Sequence, residues 1–331
     1  MRDKFRAVVL LAAVFGLVAP LHAATAKKAE QPVAKKAVAK SGSAKSAAKP
    51  RAKKVVAAAE RPVKPVRHVS MSEADPGRLA IHSASALVLD QASGQAIVEK
   101  QPDAVLPIAS ITKLMTAMVV LDAGLDLQEV ITVGDEDVDS LKGSRSRLPV
   151  GTTMTRETAM LLALMSSENR AANALGRHYP GGLGAFVQAM NRKATSLGMY
   201  SSRFEEPTGL SSNNVSTAHD LARMVAAAAR YPEIRHFSTT AEARVELKGR
   251  VRDFVNTNAL VRSDNWEIGI SKTGYISEAG RCLVMQANVA GKPVVIVLLD
   301  SNGKMTRVGD ANRIKRWMES ASSVVASKRS A

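Results

Sequence analysis

Ser110 stands three residues before Lys113 in the run Ser110-Ile111-Thr112-Lys113. On a helix that spacing sets both side chains on one face, a turn apart. A serine hydroxyl is a weak nucleophile until a base takes its proton, and a neutral lysine within reach is such a base. Neutrality calls for burial or a second cation close by, and Lys272 is the candidate cation. A serine at a helix start also meets the positive end of the helix dipole, which favours negative charge developing on an attacked carbonyl oxygen. Alone the pattern is weak, because about one Ser-x-x-Lys match arises from composition in a chain of this size.

Two further groups add weight. In Ser167-Glu168-Asn169 a hydroxyl can relay a proton to a leaving amine, and an amide can hold the acyl side of a substrate. An ordinary cap at a helix boundary is the competing account. Lys272-Thr273-Gly274 sits on a predicted strand whose edge can pair with an extended peptide, with Gly274 permitting close backbone approach. Its plain alternative is a strand end. Helix start, helix end and strand, in that order, coincide by chance about once in a hundred such chains.

The three elements together resemble the active-site serine penicillin-recognising superfamily, in which Ser-x-x-Lys, Ser-x-Asn and Lys-Thr-Gly surround one cleft. The runs Pro107-Ile108-Ala109-Ser110, Ser167-Glu168-Asn169-Arg170-Ala171-Ala172 and Glu278-Ala279-Gly280-Arg281-Cys282-Leu283 resemble low-molecular-mass penicillin-binding proteins of the D-alanyl-D-alanine endopeptidase branch, over about residues 75–320. That resemblance implies an acyl-enzyme on Ser110 with Lys113 as proton acceptor and Ser167 and Asn169 assisting. It also implies substrate binding by Lys272, Thr273 and Gly274, with an oxyanion hole from the backbone N–H groups of Ser110 and Tyr275. Arg307 falls where the family carries an arginine for the carboxylate beside the scissile bond; a solvated loop cation is the other account. The segment Glu206-Pro207-Thr208-Gly209-Leu210, followed by Asn214 and Ser216-Thr217-Ala218, resembles a family turn near the cleft and is expected to be structural only.

The implied activity is hydrolysis of D-Ala–meso-diaminopimelate cross-links. Peptidoglycan peptide stems are the substrate, β-lactams are inhibitors, and neither cofactor nor metal is involved. A D-Ala-D-Ala carboxypeptidase uses the same cleft chemistry, and the residue patterns do not separate the two leaving groups. A β-lactamase needs a carboxylate for deacylating water; Glu205 and Glu206 lie in the right region, but a Glu-x-x-Leu-Asn pattern is missing. From a different class, the chain could be a catalytically silent wall-binding protein.

These groups need elements to position them. Ser85–Asp90 and Gln95–Val98 flank a Gly-containing turn and predict a hairpin. Apolar residues on helical spacing predict helices over Ser110–Leu121, Arg156–Met165 and Ala185–Leu197. Apolar runs at Ile268–Thr273, Cys282–Val289 and Val294–Leu299 predict adjacent antiparallel strands, and Asp310–Ser320 a closing helix over them. Strands at both ends with helices between predict an α+β fold: an antiparallel sheet flanked by helices, with a helical subdomain, β-lactamase/transpeptidase-like by resemblance.

Composition bounds the rest. The 331 residues are 46% hydrophobic, enough for a substantial core. The formal charge of +16 is uneven: about two-thirds of the surplus lies between Lys27 and Arg67, against only Glu30 and Glu60. A nucleic-acid partner is therefore not expected. Arg2, Lys4 and Arg6 precede an apolar run, Ala7 to Ala19, and a small-residue stretch ending at Ala26, which reads as a signal peptide over 1–26 and a periplasmic destination.

Residues 27–70 are a basic Ala/Lys/Pro-rich segment, expected to be a disordered linker with an r.m.s. span of roughly 35 Å. Screened electrostatics would let it touch anionic envelope polymers, which retention on isolated walls after deletion of residues 27–67 measures. The catalytic domain is expected over 71–322 and a short tail over 323–331. No amphipathic membrane-lying stretch is read after Ser320. Cys282, the sole cysteine, lies in an apolar run and carries no chemistry. The six histidines show no metal-ligand spacing.

Overall fold

The computed structural model describes the backbone of residues 79–329 and the side chains of residues 79–321. The signal peptide and basic linker expected over 1–70 lie outside the described residues. Strand β1 (Ser85–Asp90) turns into β2 (Ala96–Lys100). Asp90 folds that turn by accepting the backbone N–H groups of Ala92 and Ser93 at 2.9 and 3.1 Å. A short β3 (Leu106–Pro107) and a 3-10 turn (Ala109–Ile111) lead into α1 (Thr112–Asp122). Ser110 therefore lies in the turn that precedes the helix, not in its first α-helical residue. Every residue of α1 from Thr112 to Val120 is buried, which makes it a central helix rather than a one-faced surface helix.

Next come β4 (Val130–Thr132), β5 (Thr153–Thr155), α2 (Arg156–Met165), α3 (Asn169–Arg177) and α4 (Gly182–Ser196). The Thr155 hydroxyl caps α2 by accepting the N–H of Thr158 at 3.1 Å. After β6 (Val215–Ser216), α5 (Ala218–Ala228) and α6 (Pro232–Thr239) precede a projecting hairpin, β7 (Glu242–Leu247) and β8 (Arg250–Val255). Apolar periodicity did not signal α3, α5 or α6: the first two bury alanine above all, and α6 has only Ile234 and Phe237 as large apolar residues. Each is announced only by its start: Asn169 after a turn, Thr217 capping Asp220 N–H at 3.1 Å, and Pro232 in the first turn.

The chain closes with β9 (Glu267–Ile276), β10 (Gly280–Val289), β11 (Lys292–Ser301) and α7 (Thr306–Arg329), a helix longer than its apolar spacing predicts. The main sheet has the order β2-β1-β11-β10-β9, so the first strands join the last and β9 is an outer edge. Its pairings are antiparallel. One face, with Cys282, Val284, Val295 and Val297, packs on the helical bundle. The other, with Leu283, Met285, Ile296 and Leu298, packs on Ala311, Ile314 and Met318 of α7. Burial on both faces is why these strands read as continuous apolar runs without alternation. Cys282 is fully buried in the first of these faces, and burial pushes its thiol up to about 11. Among the described residues, none of the His, Cys, Asp and Glu side chains group to hold a metal ion.

Candidate active site

Ser110 is delivered by a backbone that the fold must hold in place. Ala109 before it has a φ of 49°, a left-handed conformation costing of order 1–3 kcal/mol for a residue with a Cβ. Two glycines grip this turn. A Cβ on Gly209 would lie 1.9 Å from the Ala109 carbonyl oxygen, and one on Gly274 would lie 2.8 Å from that of Ile108 and 3.2 Å from the Ser110 nitrogen. Gly209 also has a φ of 82°. Gly209→Ala is expected to destabilise the chain by about 2–4 kcal/mol and to slow acylation of Ser110 by displacing it. Thermal unfolding beside a penicillin-labelling time course checks both.

Lys113 is fully buried and spends its three N–H donors on the Ser110 hydroxyl at 2.8 Å, Asn169 Oδ1 at 2.7 Å and the Thr208 carbonyl at 2.6 Å. Burial lowers its pKa to about 7, against a smaller opposing pull from Glu206 and Glu168. Of the two influences expected, burial and a nearby cation, burial does this, and Lys272 is not among the causes. The repulsion weighs instead on Lys272, which burial first, and then the charges of Lys113 and Arg307, hold well below the usual lysine range.

Ser167 is itself a second left-handed residue: α2 ends at Met165, Ser166 caps it, and Ser167 has a φ of 60°. Its hydroxyl accepts from Lys272 Nζ at 2.9 Å, and the same ammonium reaches the Thr273 carbonyl at 3.0 Å. Thr273 Oγ1 pairs with Thr257 Oγ1 at 2.6 Å. Asn169 Nδ2 donates to Ser144 Oγ at 2.9 Å, which orients its amide so that Oδ1 faces Lys113. Glu168 is buried under this motif and accepts from Ser146 Oγ at 2.7 Å and Arg147 Nε at 2.8 Å. The Arg147 guanidinium lies 4.4 Å from the Phe254 ring centroid. Ser144, Ser146, Arg147 and Thr257 carry no sequence motif and were not foreseen.

The turn at Glu206 does more than shape the chain. Glu206 accepts the backbone N–H groups of Thr208 and Gly209, both at 2.6 Å, and the side-chain amide of the buried Asn214 at 3.1 Å. That closes a turn which aims the Thr208 carbonyl at Lys113. The segment is structural as expected, and what it shapes is a contact to Lys113. With both Glu206 oxygens so engaged, and Glu205 bonded to Arg203, Ser211 and Asn213, neither acid is presented to Ser110 as a deacylating base. Arg307 is not a solvated loop cation: Nη1 donates to the carbonyls of Gly274 at 2.8 Å and Cys282 at 3.0 Å.

A sheet covered on both faces, with a half-buried serine on a buried lysine under its edge strand and a second serine held by a strand lysine, defines an active-site serine enzyme of the penicillin-binding class. A family model described as D-alanyl-D-alanine carboxypeptidase matches residues 69–303. The chain is 49% identical over 246 residues to the D-alanyl-D-alanine endopeptidase of Pseudomonas aeruginosa, covering 74% of this chain and 79% of that one. It is 49% identical over 241 residues to that of Escherichia coli, covering 72% and 78%. A crystal structure of a Streptomyces DD-transpeptidase superposes with a TM-score of 0.67 at 27% identity, covering 72% of this chain and 97% of that one. The chain belongs to the D-alanyl-D-alanine carboxypeptidase family of serine peptidases.

Proposed function

We propose that this serine DD-peptidase hydrolyses D-Ala–meso-diaminopimelate cross-links of peptidoglycan through an acyl-enzyme on Ser110. The observation that carries the reading is Lys113: buried, its pKa lowered to about 7, and 2.8 Å from the Ser110 hydroxyl. In acylation the Ser110 oxygen attacks the D-alanyl carbonyl carbon and its proton passes to Lys113 Nζ. The oxyanion is met by the backbone N–H groups of Ser110, at the helix start, and of Tyr275 on β9, and Thr273 with Arg307 holds the carboxylate beside the scissile bond. Ser167, bonded to Lys272, returns a proton to the leaving amine. Water then attacks the acyl-enzyme and frees Ser110. β-Lactams acylate the same serine and leave it slowly.

The endopeptidase preference is supported by relatives of that name at 49% identity in two organisms, against 30% for a Bacillus subtilis relative named a carboxypeptidase. The N-terminal signal expected over 1–26 would deliver the enzyme to the periplasm, where its substrate is. Among the described residues, no helix is long and apolar enough to cross a membrane. Purified cross-linked muropeptide dimers should be converted to monomers of the mass expected for cleavage at D-Ala. Removal of terminal D-Ala from monomeric pentapeptides with dimers left intact would reverse the preference in favour of the carboxypeptidase.

A further inference from the structure

We infer that Arg281, seated on the ring of Tyr275, forms with Arg307 a ledge along β9 that binds a carboxylate of the substrate and so sets specificity for anionic stems. The inference rests on the peptidase reading above and adds a residue to it. Arg281 lies directly opposite Tyr275 across the β9–β10 pair. Its guanidinium carbon is 4.4 Å from the ring centroid, and Tyr275 is 56% exposed, so the stack faces solvent. A flat, delocalised cation is held by an aromatic face while its N–H fork stays available for a bidentate carboxylate, which a lysine cannot imitate.

Two guanidinium groups stand here, with the Asp300 carboxylate against neighbouring Gly280. Among the described residues, Arg281 and Arg307 take no part in any ion pair, and Arg307 commits only Nη1, to the Gly274 and Cys282 carbonyls. They are close enough that Arg281 adds to burial in weakening the hold of Arg307 on its proton. The nearest acid of the β9–β10 turn, Glu278, is taken by Lys142 at 2.5 Å. An anion entering between the arginines relieves their repulsion and completes their donors.

The ledge is also within reach of the chemistry. An extended stem pairing with the β9 edge advances about 3.3 Å per residue, so Tyr275 lies about 10 Å along the strand from Lys272, within a few residues of the scissile bond. Two stem carboxylates fall in that range: one on the leaving residue beside the bond, and one on the residue that precedes the D-alanine.

The test uses the full chain with Arg281→Gln and Arg281→Lys against three cross-linked dimers: the native one, one amidated at the leaving-residue carboxylate, and one amidated at the preceding residue. Arg281→Gln should lower kcat/KM on the native dimer by about 10- to 100-fold, mainly through KM. It should leave one amidated dimer within about twofold of the wild-type rate, and that dimer identifies the carboxylate read. Arg281→Lys should fall between. Equal losses on all three dimers, or no loss on any, would overturn the ledge. A wild type that cleaves none of the dimers would count against the peptidase reading alone. Where the dimers single out the leaving-residue carboxylate, acylation by benzylpenicillin and by its carboxamide makes the same comparison without the peptide, and an unchanged preference for the acid in Arg281→Gln then overturns the inference.

Discussion

Ser110→Ala is expected to abolish covalent labelling by penicillin and to lower cross-link hydrolysis by about 10⁴-fold or more. Every later step depends on the bond that the Ser110 oxygen forms, and a methyl group cannot form it. The fold should survive the change. Ser110 is half-buried, and of the three acceptors around Lys113 the variant removes one while Asn169 Oδ1 and the Thr208 carbonyl remain. The stability cost is one hydrogen bond, about 0.5–1.5 kcal/mol. Mass spectrometry of the penicillin adduct, with a melting curve on the same sample, reads both quantities. A wild-type chain that labels no better than Ser110→Ala would point to the silent wall-binding alternative.

The second large effect belongs to Lys113 and is a matter of pH. A lysine accepts a proton only when neutral, and this one has a pKa lowered to about 7. The acylation rate should therefore rise as pH rises through about 7 and level off above it. Lys113→Met, which keeps the buried volume and removes the base, should cost about 10²- to 10⁴-fold and flatten that limb. Because Glu206 pulls the Lys113 pKa upward, Glu206→Gln should move the limb to lower pH. Stability follows with its own sign. The folded-state pKa lies below the unfolded one, so between about 7 and about 10.4 the unfolded chain binds a proton that the folded chain does not. The contribution of Lys113 to stability thus rises with pH across that window, and Lys113→Met should lose this dependence. Stopped-flow acylation and denaturant midpoints at several pH values test the pair. A rate that is flat from pH 6 to 9 would sink the role of Lys113 as base.

What could be read from the chain alone was local. The three-residue step from Ser110 to Lys113 is a property of helical geometry, so the pairing was visible before any fold was known. The apolar runs of β9, β10 and β11 and the periodic spacing of α2 were legible because burial on whole faces leaves a repeating trace. Gly274 was legible as a place of close approach. Where the pattern was thin, in α3 and α5, alanine marks the buried side only weakly, and α6 offers just Ile234 and Phe237.

The surroundings of the base were decided in three dimensions. Lys113 meets Asn169 across 56 residues and the Thr208 carbonyl across 95, and Lys272 meets Ser167 across 105. Periodicity carries no information on such meetings, since it reports which face of an element is apolar and not what packs against it. The depressed pKa of Lys113 is a product of that enclosure, because desolvation arises only when distant elements close over the ammonium. Arg307 and the Glu206 turn changed meaning for the same reason. In the chain one was a cation near the exit of a strand and the other a turn; in the fold one holds strand carbonyls and the other aims a carbonyl at the base. The sequence by itself offered Ser110 and Lys113 as a pair through short-range helical spacing, and the class of reaction through the conjunction of three motifs and the family they resemble. Only the tertiary structure decided why that lysine can be neutral and what holds it, since burial and long-range hydrogen bonds exist only once the sheet and helices have packed together.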